Sequence, residues 1–121
     1  MNEGATTRSV RLNLVVIRAA DIDTSAEFYR LLGLTLTKHS HGTGPMHYAA
    51  DDGCVFEIYP KTEKSGSTRA TRLGFGVSNV DLIVDQITAA GGIVESQPTD
   101  SEWGRRAVVR DPDGHRIDLT N

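Results

Sequence analysis

The sequence predicts an α+β fold: two strand–helix–strand–strand–strand modules whose mixed sheets pair and curl around a cavity. Three observations predict it. The first is a pair of turn signals, Asp51-Asp52-Gly53 and Asp111-Pro112-Asp113-Gly114. Each is followed by an alternating strand with a carboxylate four residues past the glycine, Glu57 in one and Asp118 in the other. The second is an internal repeat. A shift of 58 lays Asp21-Ile22-Asp23 on Asn79-Val80-Asp81 and Gly33 on Gly91, and after a three-residue insertion a shift of 61 superposes the hairpins. A repeat outranks local propensity as a fold clue. The third is patterning: each half has runs of period two around one helical stretch. One such half exposes an apolar sheet face, so two must pair to bury a core.

Taken in order, residues 1–9 are polar and read as a loose tail. Val10 to Ile17 reads as a strand, with Val10, Leu12, Leu14 and Val16 on one face and Arg11, Asn13, Val15 and Ile17 on the other. Asp21-Ile22-Asp23-Thr24-Ser25 opens a helix with an acidic first turn and Asp or Thr as cap. Phe28, Leu31 and Leu32 supply its buried stripe, and Gly33 ends it. Strands follow at Leu34 to Lys38, Met46 to Ala50 and Cys54 to Tyr59, with a loop from His39 to Pro45. Thr62 to Arg69 is polar around Lys64-Ser65-Gly66-Ser67 and reads as a connector. Beyond it come a strand from Arg72 to Val77, a helix from Asn79 to Ala90 closed by Gly91-Gly92, and a short strand at Ile93 to Glu95. A loop from Gln97 to Gly104 carries Trp103, and the final hairpin pairs Ala107-Val108-Val109 with the strand after Gly114. There Ile117 and Leu119 point one way, and Arg116, Asp118 and Thr120 the other. One domain over residues 1–121 is expected, with modules at 10–60 and 71–121 and a connector at 61–70.

Composition narrows the function. A formal charge of −3 with 24% charged residues gives no basic surface for nucleic acid and no acidic tail for a basic partner. No apolar run is long enough for a membrane span or a signal core, which predicts a cytoplasmic protein. Cys54 is the only cysteine, so no intrachain disulfide is available, and it reads as a small buried strand residue. No phosphate loop, nucleophile elbow or zinc-protease helix occurs.

The repeat, with Asp21-Ile22-Asp23-Thr24-Ser25-Ala26-Glu27-Phe28-Tyr29-Arg30-Leu31-Leu32-Gly33-Leu34, Trp103-Gly104-Arg105 and Asp111 to Leu119, resembles the vicinal oxygen chelate superfamily. That superfamily includes glyoxalase I, bleomycin and fosfomycin resistance proteins and extradiol dioxygenases. The resemblance covers residues 10–121 and specifies the scaffold better than the chemistry, because one scaffold hosts many reactions. It implies a homodimer, with cups formed between modules of one or both chains.

The resemblance also implies where a metal would sit, on ligands from the first and last strands of each module. Those positions here are Leu14 and Arg72, with Glu57 and Asp118. Leu14 has no lone pair and Arg72 is a permanent cation, so the set does not suit a divalent ion. No metal or other cofactor is therefore expected there, a divalent ion on an atypical ligand set being the alternative. Arg72 is read as standing in place of the metal charge, paired with Glu57 or Asp118; the plainer reading leaves all three as solvated strand residues. His39, His41 and His47 allow a metal cluster, against a reading with the first two in a loop. A two-residue turn at Asp52-Gly53 would set Tyr48 opposite Glu57, and a three-residue turn would set His47 there. Either would line the cup, and a His–Glu pair suits general-base work as well as a structural hydrogen bond. His115, just past its turn, is expected to be exposed. Trp103 suits either the core or a cavity rim, where with Arg105 it would stack a planar or anionic ligand.

The expected function is metal-free binding of a small organic molecule by His47, Tyr48, Glu57, Arg72, Trp103, Arg105 and Asp118. The alternative is a lyase, isomerase or dioxygenase relative with Glu57 as catalytic base. No nucleic-acid or membrane partner is expected.

Overall fold

The computed structural model describes residues 9–121. The first module runs β1 (Leu14–Ala19), α1 (Ile22–Leu32), β2 (Thr37–His39), β3 (His47–Asp51) and β4 (Val55–Pro60). The second runs β5 (Arg72–Gly76), α2 (Val80–Ala89), β6 (Ile93–Ser101), β7 (Gly104–Arg110) and β8 (Arg116–Thr120). The expected α+β fold is observed: two four-stranded mixed sheets, ordered β1-β4-β3-β2 and β5-β8-β7-β6, with two helices. In each sheet the first strand lies parallel to the last, Leu14 beside Val55 and Arg72 beside Arg116, and the remaining pairs are antiparallel. All but Ser9 of the tail expected at residues 1–9 lies outside the described residues.

The helices start where the sequence offers caps. Asp21 accepts hydrogen bonds from the amides of Asp23 (3.0 Å) and Thr24 (3.2 Å), and Asn79 accepts one from Leu82 (3.0 Å). Gly33 closes α1 at φ 110°, a left-handed conformation that costs glycine little. Between the sheets, Tyr29 of α1 packs against Phe56 of β4 at 5.0 Å and Phe75 of β5 at 5.9 Å between ring centroids. Phe56 and Phe75 also meet edge to face at 5.8 Å. Ile17, Ile58, Ile87, Ile117 and Leu119 complete one shared core. Both modules thus turn their apolar sheet faces inward, towards the helices. The opposite face of each sheet lies outside this core.

Four expectations are corrected. Pairing begins at Leu14 rather than Val10, and Val10 and Leu12 are exposed; the buried face of β1 is Val15, Ile17 and Ala19. The stretch expected as a loop after Glu95 continues as β6 to Ser101. Pro98 is tolerated there because β6 is an edge strand whose register shifts between Ser96 and Thr99. The β3–β4 turn spans Asp52-Gly53-Cys54, so Ala49 faces Glu57 and Tyr48 faces Ile58. Finally, His115 is fully buried rather than exposed.

The reason for that last burial is a polar network. His115 Nδ1 lies 2.8 Å from Asp111 Oδ2, and its Nε2 lies 2.7 Å from Thr68 Oγ1 in the segment between the modules. Asp111 Oδ2 also accepts the Tyr29 hydroxyl at 2.6 Å, and Asp111 Oδ1 accepts the backbone amides of Asp113 and His115. Thr68 Oγ1 accepts the Arg18 amide (2.9 Å), and Asp113 accepts the Ala20 amide (2.8 Å). Burial pulls the Asp111 carboxyl upward, but the bonds from His115 and Tyr29 outweigh it and leave it below its ordinary value. The Tyr29 phenol is pushed up, by burial first and then by the Asp111 charge.

Candidate functional site

The alternation of β8 sends Ile117 and Leu119 into the core and leaves Arg116, Asp118 and Thr120 on the outer face. Registered beside Asp118 are Gly74 of β5 and Val108 of β7. Arg72 and Arg106 sit diagonally from it and reach across. Asp118 Oδ2 accepts from Arg72 (3.0 Å) and Arg106 (3.1 Å), and Oδ1 accepts from Arg116 Nε (3.1 Å). Partial burial works to raise this carboxyl, yet the bonds from Arg116, Arg72 and Arg106 together hold it below its ordinary value. Three guanidinium groups against one carboxylate leave the patch cationic. Gly74 and Gly76 give it an open floor, with nothing within 4 Å of where a Cβ would stand. Arg72, 60% exposed, presents planar donors to whatever approaches.

On the first sheet the outer face carries Leu14, Val16 and Arg18 of β1 beside Val55, Glu57 and Tyr59 of β4. His47 and Ala49 of β3 share that face. The His47 ring stacks on Tyr59, 4.2 Å between centroids and 9° from parallel, and Arg18 lies 5.2 Å over the same Tyr59 ring. His47 Nε2 is 3.7 Å from Glu57 Oε2, too long for a hydrogen bond.

Of the residues singled out in the sequence, Arg72 and Asp118 meet, and His47 and Glu57 share a face, each pair on its own sheet. Tyr48 points to the opposite side of β3, where its hydroxyl donates to Asp23 at 2.6 Å. Arg105 also faces away from Asp118; it makes a two-pronged bond to Asp81 of α2 (3.1 Å each) and reaches Asp100 at 3.2 Å. Trp103 stands in the β6–β7 turn, 75% exposed, so the core reading does not describe it. A separate cleft of about 410 Å³ opens between α1 and the end of α2, lined by residues such as Phe28, Leu31, Ile87 and Ile93. It contains none of these candidates.

Leu14, Glu57, Arg72 and Asp118, the positions at which the family resemblance would put a metal, do not fit one. Leu14 offers no donor, Arg72 repels a cation, and Asp118 already accepts three guanidinium bonds. Sequence reasoning missed Tyr29, Asp111 and His115 as a buried group. The only hint was an Asp and a His four apart across a tight turn, which is weak without knowing that Thr68 covers them.

Residues 11–119 match the family model described as the glyoxalase/bleomycin resistance protein/dioxygenase superfamily. A probable lactoylglutathione lyase of Vibrio cholerae is 30% identical over 127 aligned positions, covering 90% of this chain and 88% of that protein. Among solved structures, an antibiotic-binding protein from a Streptomyces species superposes with a TM-score of 0.75 at 19% identity, over 94% of this chain and 98% of that one. A glyoxalase-related enzyme from Fulvimarina pelagi does so at 0.69 and 21% identity, over 90% and 86%.

Proposed function

Because the chain belongs to the glyoxalase/bleomycin resistance protein/dioxygenase superfamily, we propose that it binds a small anionic or planar organic molecule on the arginine-bearing face of β5, β8 and β7. The position of Leu14, Glu57, Arg72 and Asp118 serves this purpose without a metal. The observation that carries the reading is the saturation of Asp118 by Arg72, Arg106 and Arg116 beside an open glycine floor. A guanidinium held in this way keeps donors free for a carboxylate or phenolate and offers a flat surface to an aromatic ring. The fold shared with an antibiotic-binding protein is in keeping with it. We propose further that the complete cup forms in a homodimer, the Glu57 face of one copy over the Asp118 face of the other.

The second reading is an enzyme with Glu57 as base. It draws on the curated relative named a probable lactoylglutathione lyase and on the half-buried Glu57 beside His47. One experiment separates them. Purified protein is screened by thermal shift against aromatic carboxylates and phenolates, and assayed for isomerisation of the methylglyoxal–glutathione adduct with and without added nickel or zinc. A binder present at a hundred times its Kd adds about 2.7 kcal/mol of stability. The proposal expects such a shift, lost in Arg72→Ala, and no turnover. Metal-stimulated turnover abolished by Glu57→Gln establishes the enzyme instead.

A further inference from the structure

The first sheet carries a histidine cluster that the arginine-face reading does not use. His39 and His47 are direct cross-strand partners on β2 and β3, with ring centroids 4.5 Å apart. His41 lies two residues beyond His39, just past the end of β2, with its ring 5.1 Å from His39 and 5.3 Å from His47. One ring nitrogen from each of the three lies within 4.8 Å of the others. We infer that His39, His41 and His47 form a site for a borderline divalent cation, of the zinc, nickel or copper class, with Glu57 beside its fourth position.

His47 sets the orientation of the site. It is 1% exposed, and its Nδ1 lies 3.1 Å from the Pro45 carbonyl oxygen. A carbonyl only accepts, so Nδ1 must carry the proton, and in the neutral ring Nε2 then presents the lone pair. That lone pair is buried and has no hydrogen-bond partner. Burying an acceptor unpaired is costly, and native proteins seldom do it without a reason. A carbonyl fixing one imidazole nitrogen so that the other faces a metal is the usual orienting arrangement around a bound ion. Stacking on Tyr59 holds the ring plane as well.

The donors select the ion. Imidazole nitrogen with a nearby carboxylate suits zinc, nickel and copper, whereas calcium and magnesium require mostly oxygen. Ligand bonds of about 2.0–2.1 Å in a tetrahedron set donor atoms roughly 3.3 Å apart. The Glu57 Oε2 to His47 Nε2 distance of 3.7 Å is already close to that spacing. The remaining contraction falls on His39 and His41, which are half-buried and exposed, while His47 is buried. The site lies on β2, the loop after it and β3. It shares only Glu57 of β4 with the position of Leu14, Arg72 and Asp118, and its three imidazoles do not depend on the small-molecule reading.

Isothermal titration of tag-free, chelator-treated protein with zinc chloride and with nickel chloride tests the site. One ion per chain is expected at micromolar affinity or tighter, with a rise in melting temperature. His41→Ala, at the surface, is expected to weaken binding at least tenfold without disturbing the fold, and His47→Ala to abolish it. Cobalt substitution should give the visible bands of a four-coordinate ion. Arg72→Ala should bind zinc like the parent, so this result can fail while small-molecule binding stands, and the reverse. No stoichiometric ion in the parent, or unchanged affinity in His41→Ala, overturns the inference.

Discussion

Replacing Tyr29 by Phe removes one oxygen from the centre of the molecule and leaves its packing in place. The ring keeps its contacts with Phe28 (5.1 Å), Phe56 (5.0 Å) and Phe75 (5.9 Å). What is lost is the 2.6 Å bond to the buried, ionised Asp111. A hydrogen bond to a charged group contributes roughly 1.5–3 kcal/mol. For a chain of this length 1 kcal/mol moves the melting temperature by about 3–5 °C, interpolating between smaller and larger domains. Tyr29→Phe should therefore melt roughly 5–15 °C lower, with the denaturant slope of urea unfolding unchanged. Tyr48→Phe is the control. Its hydroxyl makes a bond of the same 2.6 Å length, to Asp23, but that carboxylate is 59% exposed and water can replace the donor. Its effect should be much smaller. Equal losses in the two variants, or a Tyr29→Phe change below about 0.5 kcal/mol, would refute the claim that burial sets the strength of this bond.

Asp111 and Asp118 both titrate below their ordinary values in the folded chain, so their stabilisation is complete above the unfolded carboxylate range near pH 3.9. It is lost as pH falls through the lowered folded values, and Asp111→Asn should flatten this acid limb in a pH series of urea melts. A Cβ on Gly104 would collide with the Asn121 carbonyl oxygen, and the backbone there has φ 109°. Gly104→Ala should cost about 2 kcal/mol or more, read as a lower melting temperature. Asp21→Ala removes the acceptor for two amides at the start of α1 and should cost about 1 kcal/mol.

The duplication was legible because it is written twice: caps at Asp21 and Asn79, turn glycines at Gly53 and Gly114, carboxylates at Glu57 and Asp118. Local signals of that kind do not depend on distant contacts. Registers and burial do. Whether Asp51 or Cys54 belongs to the β3–β4 turn decides which residue faces Glu57, and a single-residue change in the pairing moves Tyr48 out of the candidate set. His115 looked like a surface residue because nothing near it in sequence shows that Thr68, 47 positions earlier, closes over it. The stretch from Gln97 read as a loop, whereas an edge position with shifted register lets β6 run on past Pro98. Arg72 against Asp118 was readable, since both alternate onto one face of adjacent strands. The withdrawal of Arg105 to Asp81 depends on where α2 lies.

The bonds from Arg18 to Thr68 and from Ala20 to Asp113 tie the entrance of the first helix to the connector and to the last hairpin turn. A tandem repeat latched at its seam cannot behave as two beads on a string. Neither half can swing away from the other without first breaking these bonds.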